Sequence, residues 1–228
     1  MRTATYFITA LILATGLLST NCTAQTAVTT PKYTEFYYQR ASIFDLLPVD
    51  STNIVMLGNS LTNGAPWHEL FNNQKVINRG ITGDTAQGIK DRLRPITKGK
   101  PAKIFLLTGA NDISHHLTSD SIANAIADLV ETIKEETPTT KIYLQSILPI
   151  NNDFGRYKNM IGKEPQVKEI NALLEKRFKG TDVVWLNINP LFADENGNLD
   201  KNLTNDGLHL LGPGYLIWRD FLLPYINE

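Results

Sequence analysis

The chain has a single cysteine, Cys22, in 228 residues. One thiol closes no internal disulfide and builds no cysteine-rich metal cage. Histidine is nearly as scarce, with four. No H-E-x-x-H run and no clustered Cys/His spacing occurs, so no metal is expected. No G-x-x-x-x-G-K-[ST] run is present, which excludes that phosphate loop. Charge of one sign is also lacking: 22 basic residues stand against 23 acidic ones, a formal net charge of -1. No basic stripe is visible, so nucleic acid is not an expected partner. Long apolar runs are missing too. The longest, from Tyr6 to Leu18, is too short and too broken for a membrane-spanning helix.

What is present suits one globular domain with a full core. Apolar residues make up 42% and charged residues, mixed in sign, 20%, which excludes long disorder. Residues 1–24 stand apart. Arg2 is their only charge, the apolar stretch follows, and small and polar residues close it. That is the pattern of a secretory signal. A cut after Ala24 removes Arg2 and no acid, leaving 21 basic against 23 acidic residues and a net charge of -2. It also removes Cys22. A lipid anchor on Cys22 is the rival reading, and both place the protein outside the cytoplasm. Residues 25–32 read as a linker and 33–228 as the domain.

Within the domain, "YTEFYYQRASIFDLLP" reads as a helix ending at Pro48. Five apolar runs rich in β-branched residues follow: "NIVML" from Asn53, "KVIN" from Lys75, "KIFLLT" from Lys103, "KIYLQSI" from Lys141 and "DVVWLNI" from Asp182. They are nearly continuous rather than alternating, as strands covered on both faces should be. Helical patterns separate them, at Gly83–Leu93, Ser119–Glu136, Pro165–Phe178 and Gly214–Leu223. The clearest repeats Ile122, Ala125, Ile126, Leu129, Val130 and Ile133 at helical spacing. Strand alternating with helix predicts an α/β sandwich around a five-stranded parallel sheet. Ligands of such folds sit beyond the carboxyl ends of the strands.

Four blocks fall there. "GNSLT" follows the first strand, and Ser60 either caps a helix or stands ready as a nucleophile. "DGLHL" holds Asp206 and His209 three apart, with Gly207 allowing a turn between them. The carboxylate can reach one ring nitrogen and leave the other free, although an ordinary turn fits as well. "NRGITGDT" offers the Gly80 N–H and "TGANDI" the Asn111 amide. With the Ser60 N–H these would make three donors, although each is also a common turn or cap signal. A serine hydroxyl needs a base, the base needs an acid to orient it, and the attacked carbonyl needs donors for its developing charge.

Taken in order, Ser, Gly, Asn and His resemble the four blocks of the SGNH (GDSL-type) hydrolase superfamily, over nearly the whole domain. The resemblance implies a three-layer α/β/α sandwich of flavodoxin-like type. It implies Ser60 as nucleophile, His209 as base and Asp206 as its orienter. Gly80, Asn111 and the Ser60 N–H would form the oxyanion hole, with no cofactor. "NRGITGDT" and "SILPINN" further resemble bacterial esterases near the sialate O-acetylesterases and the platelet-activating-factor acetylhydrolase-like proteins. Asn59 departs from the family, which often has aspartate there. This puts local loop stability in question more than activity.

The implied activity is a secreted serine esterase acting on short acyl esters, with O-acetyl groups on carbohydrates such as sialic acid as the expected substrate. A lysophospholipase, thioesterase or arylesterase of the same superfamily is the alternative. A non-catalytic carbohydrate-binding protein on this scaffold ranks below both, since Ser60, Asp206 and His209 are all present. Trp67 could line the substrate pocket or pack the domain edge. His115 and His116 read as exposed, and Tyr215 and Trp218 as core. The mixed charges of "KEPQVKEINALLEKRFK" read as a solvated helix face.

Overall fold

Side chains alternate across a strand, so an apolar run can feed two cores at once. The computed structural model describes residues 32–228. The export signal at 1–24, Cys22 and residues 25–31 of the linker lie outside the described residues. Tyr33–Glu228 forms one unit. In chain order its elements are α1 (Glu35–Leu46), β1 (Ile54–Gly58), α2 (Ser60–Asn63), α3 (Trp67–Leu70), β2 (Val76–Gly80), α4 (Ala86–Asp91) and α5 (Arg94–Thr97). Then follow β3 (Lys103–Leu107), α6 (Ala110–Ser114), α7 (Ser119–Glu136), β4 (Lys141–Gln145), α8 (Glu164–Phe178), β5 (Val184–Leu186) and α9 (Gly212–Asn227).

The sheet runs β2-β1-β3-β4-β5 with every pair parallel. On one face Val55, Leu57, Ile104, Leu106, Ile142 and Leu144 share a core with Ile89 of α4, Ile126 and Val130 of α7 and Ile170 of α8. On the other face Met56, Phe105 and Tyr143 pack with Trp67 of α3 and with Trp218 and Leu222 of α9. Helices thus cover both faces of a five-stranded sheet, the expected three-layer α/β/α arrangement. Among the described residues no helix is long and apolar enough to cross a membrane.

Register aligns the strand ends that matter. Gly58 of β1 sits opposite Gly80 of β2 and Leu107 of β3, so the loops that follow all leave from one rim. The helical pattern predicted over Gly83–Leu93 is shorter and broken. Gly83 has φ +81, in the left-handed region that helices avoid. Thr85 caps α4 by accepting the Gly88 N–H, and the chain restarts at α5 with Pro95 in its first turn. α9 begins two residues earlier than expected, with Pro213 in its first turn, and runs on past Leu223 to Asn227.

Candidate active site

β1 ends at Gly58, where a side chain would run into the Leu107 carbonyl and the Thr62 hydroxyl. The chain leaves the sheet through Asn59 and enters α2 at Ser60. Asn59 is buried, and its Oδ1 accepts the Leu61 N–H at 3.1 Å. It therefore performs the capping an aspartate would perform, because N-capping needs only an acceptor oxygen. The departure from the family pattern does not leave this loop uncapped.

The partner loop lies between β5 and α9. The Thr204 hydroxyl accepts the Gly207 N–H at 2.9 Å, and Gly207 has φ +84. Asp206 Oδ1 accepts the N–H groups of Leu208 (2.9 Å) and His209 (2.8 Å). This leaves Oδ2 facing the ring, 2.8 Å from His209 Nδ1. The other nitrogen, Nε2, lies 2.9 Å from Ser60 Oγ, across 149 positions of sequence. With Nδ1–H directed at the carboxylate, Nε2 is left as an acceptor for the serine proton. Burial pushes the Asp206 carboxyl up. The His209 N–H and ring, the Leu208 N–H and the Tyr157 hydroxyl outweigh burial and bring it down to about 2.

Asn111 stands in the first turn of α6, and its Nδ2 donates to the Asp84 carbonyl at 2.8 Å. One of its two amide hydrogens is committed there, and the other remains for a ligand. Gly80 requires a correction. Its N–H donates to Asn78 Oδ1 at 2.8 Å and is not free for an oxyanion. The same Asn78 amide donates to the carbonyls of Thr62 and Ala65, so it clamps β2 to the segment that follows Ser60. Gly80 is small for another reason: an added Cβ would lie 2.8 Å from Asn63 Cα. A donor of this loop that stands uncommitted lies three residues on. The Asp84 N–H closes a turn onto the Ile81 carbonyl, with Gly83 third in it. The Gly83 N–H has no acceptor among the described residues.

This loop is held by a pair that sequence reading missed. Arg92 Nε donates to Asp84 Oδ2 at 2.7 Å with both side chains buried. The same guanidinium donates to the carbonyls of Gly58 (3.2 Å) and Arg79 (2.9 Å), near the ends of β1 and β2. Burial raises the Asp84 carboxyl to about 6 against the pull of Arg92. Asp112, also raised by burial, accepts the Ala86 N–H. The signal in the sequence was an acid and a base at a spacing of eight in "DTAQGIKDR".

Trp67 is the second correction. It is fully buried, donates from Nε1 to the Thr62 carbonyl at 2.8 Å and packs edge-on against Trp218. Facing the core, it cannot line a substrate pocket. His68, His115 and His116 are exposed. Trp218 is core, and Tyr215 is part-buried, donating to the Leu61 carbonyl at 2.9 Å. Tyr157 was not anticipated: its hydroxyl donates to Asp206 Oδ2 at 2.9 Å. Among the described residues no three His, Cys, Asp or Glu side chains gather as a metal site.

Comparison with known proteins gives a consistent result. The model of the GDSL-like Lipase/Acylhydrolase family matches residues 56–217. Platelet-activating factor acetylhydrolase IB subunit alpha2 of Rattus norvegicus is 30% identical over 152 residues, covering 65% of this chain and 63% of that protein. The match thus spans somewhat less than two thirds of that relative's length. A GDSL-like lipase from Bacteroides thetaiotaomicron superposes with a TM-score of 0.73 at 26% identity, over 84% of this chain and 97% of that one. The family match runs from inside β1 to α9, taking in Ser60 and His209 together, and on that basis the chain belongs to the GDSL-like lipase/acylhydrolase family, within the SGNH superfamily that its four blocks resemble.

Proposed function

We propose that this protein is a serine esterase that transfers a short acyl group, acetyl foremost, from an ester to water. The observation that carries the reading is the chain of contacts from Ser60 Oγ through the His209 ring to Asp206. His209 Nε2 takes the hydroxyl proton as Ser60 Oγ attacks the ester carbonyl. The Ser60 and Gly83 N–H groups and the second Asn111 amide hydrogen are the donors we assign to the oxyanion, with Gly83 replacing Gly80. Imidazolium is stabilised by the ionised Asp206 and returns the proton to the departing alcohol. Water then attacks the acyl-Ser60 ester with His209 again as base, releasing the acid and restoring the hydroxyl. The decisive experiment is Ser60→Ala. It should fold as the parent does, lose turnover of p-nitrophenyl acetate and lose labelling by a fluorophosphonate. Parental turnover by that variant would overturn the assignment.

As substrate we propose O-acetyl groups on carbohydrate, sialic acids included, on the likeness carried by "NRGITGDT" and "SILPINN". The relatives named platelet-activating factor acetylhydrolase support a second reading, an acetyl ester of different alcohol chemistry. Acetate release from acetylated sugars, set beside p-nitrophenyl esters from acetate to octanoate, separates these from a long-chain lipase. An extracytoplasmic site of action is proposed from residues 1–24 alone. Sequencing the mature N-terminus tests it: Gln25 supports cleavage after Ala24, and lipid on Cys22 supports an anchor.

A further inference from the structure

We propose that Tyr157 is a positioning residue for the Asp206–His209 pair, its hydroxyl governing how Asp206 holds and polarises the ring. The proposal rests on the acyl-transfer reading above and concerns regulation of that site. Tyr157 donates to Asp206 Oδ2 at 2.9 Å, and its oxygen lies 3.1 Å from His209 Nδ1. Oδ2 is also the oxygen 2.8 Å from Nδ1. Three heteroatoms thus share one small triangle. When Nδ1 carries its proton, the phenol hydrogen has one acceptor within reach, the carboxylate. The rings meet edge to face at 5.7 Å, so Tyr157 also stops the imidazole from swinging outward.

The segment that carries Tyr157 is fastened to the histidine loop. The Asn151 N–H donates to the Gly207 carbonyl at 2.8 Å, and Asn151 Nδ2 donates to the Leu199 carbonyl at 2.8 Å. A Cβ on Gly207 would collide with the Asn151 carbonyl, so glycine permits the two loops to touch. Gly155, at φ +62, turns the chain before Tyr157, and the buried Met160 secures it afterwards. Tyr157 itself is 36% exposed. Core packing therefore does not explain it, and its hydroxyl partners are the two side chains of the proposed relay. Burial and Asp206 both raise its own titration, which keeps the phenol a donor at neutral pH. The other ionisable groups around the pair are Arg156, acting on Tyr157, and Tyr215 of α9, which Asp206 perturbs.

Removing the hydroxyl frees Oδ2 to act on Nδ1–H alone, which favours the imidazolium, while the phenyl ring keeps the lateral stop, so the variant reads the hydroxyl by itself. In Tyr157→Phe we expect kcat to fall about threefold to tenfold, with KM and thermal midpoint unchanged. The acid limb of the rate profile should move to higher pH. The downfield proton resonance of His209 Nδ1–H should shift; His68, His115 and His116 are exposed and exchange with solvent, so this signal is isolated. A variant with parental kcat, acid limb and resonance overturns the proposal. So does one that loses thermal stability while the acid limb and resonance stay in place, since that is a structural role only. If the parent neither turns over ester nor labels, the acyl-transfer reading fails on its own account, while the resonance still reports whether Tyr157 holds His209.

Discussion

Alanine at Gly80 tests whether β2 holds Ser60, the proposed nucleophile, in place by close packing. The added Cβ would lie 2.8 Å from Asn63 Cα and from the Thr62 carbonyl carbon, and nearer still to the Asn63 nitrogen, whereas ordinary contact begins at 3.4 Å. All three atoms are backbone of α2, whose first residue is Ser60, so no flexible side chain can absorb the overlap. α2 must retreat by about 1.1 Å, the difference between 3.4 Å and the 2.3 Å to the Asn63 nitrogen. Overpacking of this kind costs about 1–3 kcal/mol, or a fall of roughly 2–12 °C in Tm for a domain of this size. The retreat acts on Ser60 Oγ, 2.9 Å from His209 Nε2. A misplacement of about 1 Å at a reacting centre costs on the order of 10²-fold, so kcat/KM on p-nitrophenyl acetate should drop about tenfold to a hundredfold. Calorimetry and ester hydrolysis on the same preparation read both effects. Gly83→Ala is the control for Tm only, because its N–H is one of the assigned oxyanion donors: nothing lies within 4 Å of its Cβ, and its stability penalty is the left-handed backbone, about 1–2 kcal/mol. Parental Tm and parental kcat/KM in Gly80→Ala would refute the packing argument.

The Asp84–Arg92 pair gives a stability prediction. Asp84→Asn leaves a buried guanidinium without its counter-charge, at a cost of about 3–5 kcal/mol, and calorimetry should register it as a Tm lower by roughly 10 °C; a change within a degree would mean that the pair does not hold this loop. Trp67→Phe removes the Nε1–H bond to Thr62 from the core and should cost about 1–3 kcal/mol while leaving KM for acetate esters unchanged. A raised KM without lost stability would return Trp67 to the substrate. Acid should silence the enzyme, since its base must be neutral to act. Asp206 titrates at about 2 against an ordinary 3.8, so its stabilising charge is complete above 3.8 and fades only as pH falls through about 2. A general base must be unprotonated to act, so hydrolysis that continues unabated well below pH 5 would contradict His209 as base.

Which parts of this molecule can be read from its residues follows from the range over which each cause acts. The strands were legible because burial on both faces writes an unbroken apolar run, and α7 because one buried stripe writes a period. Seven of its residues, from Ile122 to Ile133, are buried on that stripe. The approach of Ser60 to His209 was legible through residue type and order, since a parallel sheet brings the loops after its strands to one rim. Gly80 shows where such reading stops. Its place at the end of a strand is local, but whether its N–H is free depends on Asn78, whose side chain folds back onto Gly80 while also clamping Thr62 and Ala65. Trp67 carries the same lesson, for its indole is turned inward by Trp218, about 150 residues away and on another helix. Tyr157 lies in "NDFGRYKNM", a stretch with neither period nor motif. It reaches Asp206 because one backbone bond, Asn151 to Gly207, joins two loops. Local causes mark the elements and the reacting groups. The groups that orient them are chosen by contacts between distant loops, and for that reason the supporting residues of this site were harder to read than the site itself.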